Sequence, residues 1–145
     1  MVYYLSIANT IKEAKMIHLE DIELAKNARN YSHSPYSNFR VGVALRCKNG
    51  KVYMGSNIEN HGIQGICGER TAFVKALSEG EREFESIIVC GAPNGEEPTN
   101  ECMPCGYCRQ FMSEFVDKDF VVGIYDNGKV NEYTMEDLLP HSFKL

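Results

Sequence analysis

The chain has 145 residues, 43% hydrophobic and 24% charged, with a net charge of −5. That length fits one domain with a proper core. The acidic balance argues against a nucleic-acid polymer, whose phosphates need clustered Lys and Arg, and leaves a small or neutral substrate as the expectation.

No segment approaches the roughly 20 apolar residues that span a bilayer. Residues 2–8 are too short for a signal peptide and no basic residue precedes them. The expected location is the cytoplasm, without a membrane partner. Six cysteines in a reducing compartment then need a reason other than disulfides. Cys47 and Cys90, in strand-like runs, read as small buried hydrophobes.

Residues 1–18 read as an N-terminal extension and 19–145 as one domain. From Leu19, the positions Leu24, Ala28 and Tyr31 mark one helical face, widened by Ala25. Pro35 ends that helix, since the residue before a proline is pushed out of the helical region. Val41, Val43, Leu45 and Cys47 alternate along a strand, Asn49-Gly50 turns it, and residues 51–58 return.

A helix follows over residues 67–78 and closes near Gly80, and residues 86–91 form a short buried strand. A polar loop over 92–103 leads to a helix with Pro104 in its first turn and Cys108, Phe111, Met112 and Phe115 on its apolar face. Residues 120–125 are a strand, Asp126-Asn127-Gly128 turns it, and 129–133 return. Thr134 with Asp137 forms a capping box for a last short helix. The fold class is therefore α/β, a sandwich built on one mixed sheet of five strands.

Both helices that begin with cysteines follow a strand or a loop, where ligand crevices of α/β sheets lie. Helix N-termini also stabilise thiolates. Cys105 and Cys108 are three apart, on one helical face, a spacing that fits half a zinc site, a redox pair or coincidence. Cys67 from the other helix could supply a third sulfur, leaving one tetrahedral position open, as catalytic zinc sites do.

Glu69 is two residues past Cys67, and first-turn side chains tilt back toward the N-terminus, so both reach a metal beyond the helix end. The adjacent Arg70 could donate to a ligand sulfur and offset the −1 formal charge of three thiolates on Zn²⁺. Cys-x-Glu followed by Pro-Cys-x-x-Cys matches the zinc deaminase signature, with Cys in place of His. The run Cys102, Cys105, Cys108 also occurs around iron–sulfur clusters, but a cluster gives Glu69 no role. Cys102 reads as a bystander. As a fourth ligand it would make the site structural and the protein a non-catalytic zinc-binding module.

Four motifs in order carry a wider resemblance: Ser34-Pro35-Tyr36-Ser37-Asn38-Phe39-Arg40-Val41-Gly42, Asn57-Ile58-Glu59-Asn60, Cys67-Gly68-Glu69-Arg70-Thr71-Ala72 and Pro104-Cys105-Gly106-Tyr107-Cys108-Arg109-Gln110. Across residues 19–143 the chain resembles the small, homotetrameric, three-cysteine cytidine deaminases. The resemblance implies a three-layer α/β/α sandwich around the mixed five-stranded sheet, zinc on Cys67, Cys105 and Cys108, and Glu69 as proton shuttle.

It further implies hydrolytic deamination of cytidine and deoxycytidine to uridine and deoxyuridine with release of ammonia, in pyrimidine salvage. Phe39 would pack on the pyrimidine, Asn57 and Glu59 would hold the ribose, and Phe143 would reach a neighbouring subunit's site in a homotetramer with shared active sites. Another aminated nucleoside or a nucleoside antibiotic is the alternative substrate; a polynucleotide editor shares the motif, but the acidic balance counts against it. The chain departs from the family at Gly68, where Ala is usual, at Met103 for Ser, at Tyr107 for a small residue, and at Ile63 for Tyr. None of these removes a ligand or the acid.

Overall fold

The computed structural model describes residues 17–145. The expected N-terminal extension therefore lies outside the described residues except for Ile17 and His18. In chain order the elements are α1 (Leu19–Ala28), a 3₁₀ turn (Arg29–Tyr31), β1 (Phe39–Cys47), β2 (Val52–Ser56), α2 (Gly68–Ser78), β3 (Phe84–Pro93), α3 (Gly106–Ser113), β4 (Val121–Asp126), β5 (Lys129–Thr134) and α4 (Met135–Leu138). The sheet order is β2-β1-β3-β4-β5. Among the described strands only β3 and β4 pair in parallel, with α3 in the crossover between them.

The Asn49-Gly50 turn fixes the first hairpin: Gly50 takes φ 93°, and the Asn49 side chain accepts from Lys51 N at 3.0 Å. Its register sets Leu45 against Tyr53. Alternation then divides the sheet into two faces. Val43, Leu45, Ile87, Val89, Val122 and Ile124 pack with Ala72 and Phe73 of α2, Cys108 and Met112 of α3, and Met135 and Leu138 of α4. Ala44, Ile88, Cys90 and Tyr125 face the other way, against Ala25 of α1 and Ile17. These are the three expected layers.

Phe73 centres the larger core, its ring 4.9 Å from that of Phe84 and 6.4 Å from those of Phe111 and Phe120. Each such fully buried apolar side chain contributes about 1.5–3 kcal/mol by burial. Gly55 sets how closely α2 lies on β2: a Cβ there would sit 2.5 Å from the Gly68 carbonyl oxygen and 2.6 Å from Ala72 N. The start of α2 is thereby pressed onto the sheet.

Three local expectations change. Tyr31 is 76% exposed, because the chain tightens into a 3₁₀ turn at Arg29 and leaves the α-helical face. Ala25 and Ala28 are buried as expected, and Asp21, 1% exposed, joins them, its carboxylate accepting from Arg46 Nε at 2.7 Å and Nη2 at 2.8 Å. β3 extends to Phe84–Pro93 because β1 pairs with it from Phe39↔Pro93 to Cys47↔Phe84. Pro104 lies before the N-cap of α3, not in its first turn, because Cys105 takes the capping position.

The Asp21–Arg46 pair bridges α1 to the sheet, and removing one member strands a buried charge. Asp21→Ala is expected to lower stability in urea unfolding by about 3–5 kcal/mol. Glu20→Ala, which removes only the exposed partner of Arg46, is expected to cost less than about 1 kcal/mol.

Candidate active site

The segment leading into α2 is pinned by short backbone bridges. His33 pairs with Ile58, and Ile58 with Ile66. His33 N donates to Asn57 O at 3.0 Å and Glu59 N donates to His33 O at 2.7 Å. This delivers Cys67 to the N-cap of α2 in an extended conformation, φ −76° and ψ 155°. Cys105 caps α3, its sulfur accepting from Cys108 N at 3.5 Å. Arg109 holds the approach to that cap by donating to Pro104 O at 2.8 Å and Leu138 O at 2.9 Å. Two helix N-termini, each favouring negative charge, thus meet at one point.

There the sulfurs of Cys67, Cys105 and Cys108 lie within 4.8 Å of one another, and Cys67 Sγ is 3.8 Å from Cys105 Sγ. Tetrahedral zinc with Zn–S bonds of about 2.3 Å separates its sulfurs by about 3.8 Å, so the donor set fits that ion. Hydrogen bonding with Cys108, helped by Arg70, draws the Cys67 thiol well below its usual range. Cys108, paired with Cys67 and buried, is pushed up. Arg70 Nη2 donates to Cys67 Sγ at 3.5 Å.

Cys102 does not join the cluster. Its sulfur occupies the space where a side chain on Gly91 would stand, and burial pushes its thiol up.

Glu69 is 4% exposed, and its Oε2 accepts from Cys108 Sγ at 3.5 Å. Burial raises its carboxyl above the usual carboxylate range, and the neighbouring Cys67 charge adds to that. A carboxyl so placed can hold a proton or give it up.

A cleft of about 350 Å³ opens over Glu69, walled by Phe39, Asn57, Glu59, Cys67 and Cys105. Asn57 is largely committed to its own chain: Oδ1 accepts from Ser32 Oγ at 2.5 Å and Val41 N at 2.9 Å, and Nδ2 donates to Phe39 O at 2.9 Å. One amide hydrogen remains. Glu59 accepts from Tyr36 N at 3.0 Å, Ser37 N at 3.1 Å and Ser37 Oγ at 2.5 Å. The Ser37 bonds hold its carboxyl below the usual range.

Phe143 is 63% exposed and does not line this cleft. Ile63 is fully exposed, and Tyr107 lies on the outer side of the cluster with its ring 4.0 Å from Arg70 Cζ. Sequence reasoning gave no role to Ser32, Ser37 or Arg109. The signal for Ser37 and Arg109 was their place inside the quoted motifs.

Residues 16–124 match the family model described as the cytidine and deoxycytidylate deaminase zinc-binding region. The chain is 42% identical to a probable cytidine deaminase of Dictyostelium discoideum over 124 residues, 84% of this chain and 80% of that protein. A crystal structure of cytidine deaminase from Burkholderia pseudomallei superposes with TM-score 0.79 at 42% identity, covering 88% of this chain and all of the other. Blasticidin-S deaminase from Bacillus cereus is 32% identical over 130 residues, 86% of this chain and 92% of that protein.

If the three clustered sulfurs hold the metal, zinc analysis of the purified protein should give about one ion per chain. Cys105→Ser should lose it. Cys102→Ser should keep it, and loss of zinc in that variant would make Cys102 a fourth ligand.

Proposed function

This chain belongs to the cytidine and deoxycytidylate deaminase family, and on that premise we propose that it hydrolyses cytidine and deoxycytidine to uridine and deoxyuridine with release of ammonia. The observation that carries the reading is the buried Glu69 carboxyl beside three converging cysteine sulfurs at the floor of a nucleoside-sized cleft. Zinc held by Cys67, Cys105 and Cys108 supplies Lewis acidity, which makes water acidic enough to add near neutral pH.

Glu69 does the proton work. Its carboxylate takes a proton from water as the C4–O bond forms and passes it to ring N3. It then takes the remaining hydroxyl proton and delivers it to the exocyclic nitrogen. The C4–N bond breaks, ammonia leaves, and the C4 carbonyl of the uracil ring forms. A group whose proton affinity is raised by burial suits both transfers.

Phe39 packs on the pyrimidine face. The free Asn57 amide hydrogen and the remaining lone pair of Glu59 hold ribose hydroxyls, an arrangement that rejects analogues lacking them. Among the described residues the charged side chains lining the cleft are Glu59, Glu69 and Glu101, without Lys or Arg, which favours an uncharged nucleoside over its 5′-phosphate. Arg70, donating to Cys67, offsets the negative charge of three thiolates.

The assembly we assign is a homotetramer with shared sites, in which Phe143 enters a neighbouring cleft; its 63% exposure supports this. Six unpaired cysteines support a cytoplasmic enzyme of pyrimidine salvage. No described helix is long and apolar enough to cross a membrane. The similarity to blasticidin-S deaminase keeps that antibiotic as the second substrate to try.

The test is ammonia release from cytidine, deoxycytidine, cytidine 5′-phosphate and blasticidin S. Cytidine and deoxycytidine are expected to turn over, and Glu69→Ala to lose about a thousandfold or more. Turnover of blasticidin S alone would overturn the cytidine assignment. Glu59→Ala is expected to raise KM for cytidine more than it lowers kcat. Because the Glu59 carboxyl is held low, it stays ionised as pH falls, so its contribution to KM should be flat from pH 8 to about 5. A rise in KM within that window would contradict its role.

A further inference from the structure

Arg70 reaches the cysteine cluster with little to hold it. Its guanidinium carries five donors, yet among the described residues it meets only cysteine sulfurs: Nη2 donates to Cys67 Sγ at 3.5 Å, with Cys108 as the second sulfur within its reach. Nε is buried without a partner. The other contact that fixes the group is the Tyr107 ring, 4.0 Å from Arg70 Cζ, a distance at which a cation and an aromatic face attract.

Tyr107 sits between Cys105 and Cys108 at the start of α3, whereas Arg70 follows Cys67 in the first turn of α2. The contact therefore ties the two cysteine-bearing helices together at the cluster. Neither residue lines the cleft, so neither touches a nucleoside bound there.

We infer that Tyr107 is a positioning residue that clamps the Arg70 guanidinium against the Cys67 thiolate, and so sets how much negative charge the three-cysteine site directs onto its metal. The inference rests on the zinc deaminase reading and deepens it. Without the ring, Arg70 gains rotamer freedom and swings toward solvent. The Cys67 sulfur then donates more electron density to the metal, whose Lewis acidity falls. The effect belongs in kcat, since substrate contacts are untouched.

The experiment compares wild type, Tyr107→Ala and Tyr107→Phe, each loaded with Zn²⁺ for kinetics and with Co²⁺ for absorption. Tyr107 is 66% exposed, so neither substitution opens the core. Tyr107→Ala is expected to lower kcat for cytidine by about threefold to thirtyfold at unchanged KM. It should also move the sulfur-to-cobalt charge-transfer band to longer wavelength. Tyr107→Phe, which keeps the ring, is expected to restore both.

An unshifted band in Tyr107→Ala, or a Phe variant as impaired as the Ala variant, overturns the inference. If wild type releases no ammonia from cytidine, the functional reading fails while the cobalt band still decides the role of Tyr107.

Discussion

Three cysteine sulfurs held within 4.8 Å of one another are the constraint on which the rest of the structure depends. As thiolates they repel, and they stay together because of what surrounds them. Two helix N-termini point at them, Arg70 donates to one of them, and a divalent cation fits between them. The same crowding of negative charge acts on the buried Glu69. A carboxyl facing thiolates and removed from water binds a proton more tightly than an exposed one, which suits the proton carrier we propose it to be.

The fold supplies this convergence through close approach and crossover. Gly55 lets α2 lie against β2, and the bridges from His33 to Ile58 and from Ile58 to Ile66 aim the segment that ends in Cys67. On the other side, the parallel β3–β4 pair demands a crossover, and α3 in that crossover brings Cys105 and Cys108 to the same end of the sheet. Phe73 of α2 packs against Phe111 of α3 and Phe84 of β3, joining the two helices to the sheet. The ligand set therefore rests on the larger of the two apolar clusters among the described residues, and the cleft residues Asn57 and Glu59 rest on local loops.

Much of this was legible in the sequence because the signals are short-range. Asn49-Gly50 forms the turn it announces, and Thr134 with Asp137 makes the reciprocal cap of α4. The cysteine spacing put two sulfurs on one helical face, and first-turn tilt brought Glu69 to them. What was not legible depends on residues far apart in the chain. Asp21 and Arg46 lie 25 residues apart and carry no local signature of pairing, so apolar periodicity found Ala25 and Ala28 but missed Asp21 and ran on to the exposed Tyr31. Asn57 reads as a free polar group until Ser32, Val41 and Phe39 take up most of its amide. Tyr107, a departure from the family in the sequence, gains a meaning once Arg70 is seen beneath its ring.

The account stands on a site with three sulfurs and one open position, and X-ray absorption at the zinc edge of the purified protein reads that directly. Three sulfur scatterers at about 2.3 Å and one nitrogen or oxygen scatterer at about 2.0 Å is the predicted shell. Four sulfurs would close the site, make the metal structural, and contradict the assignment of a hydrolytic centre.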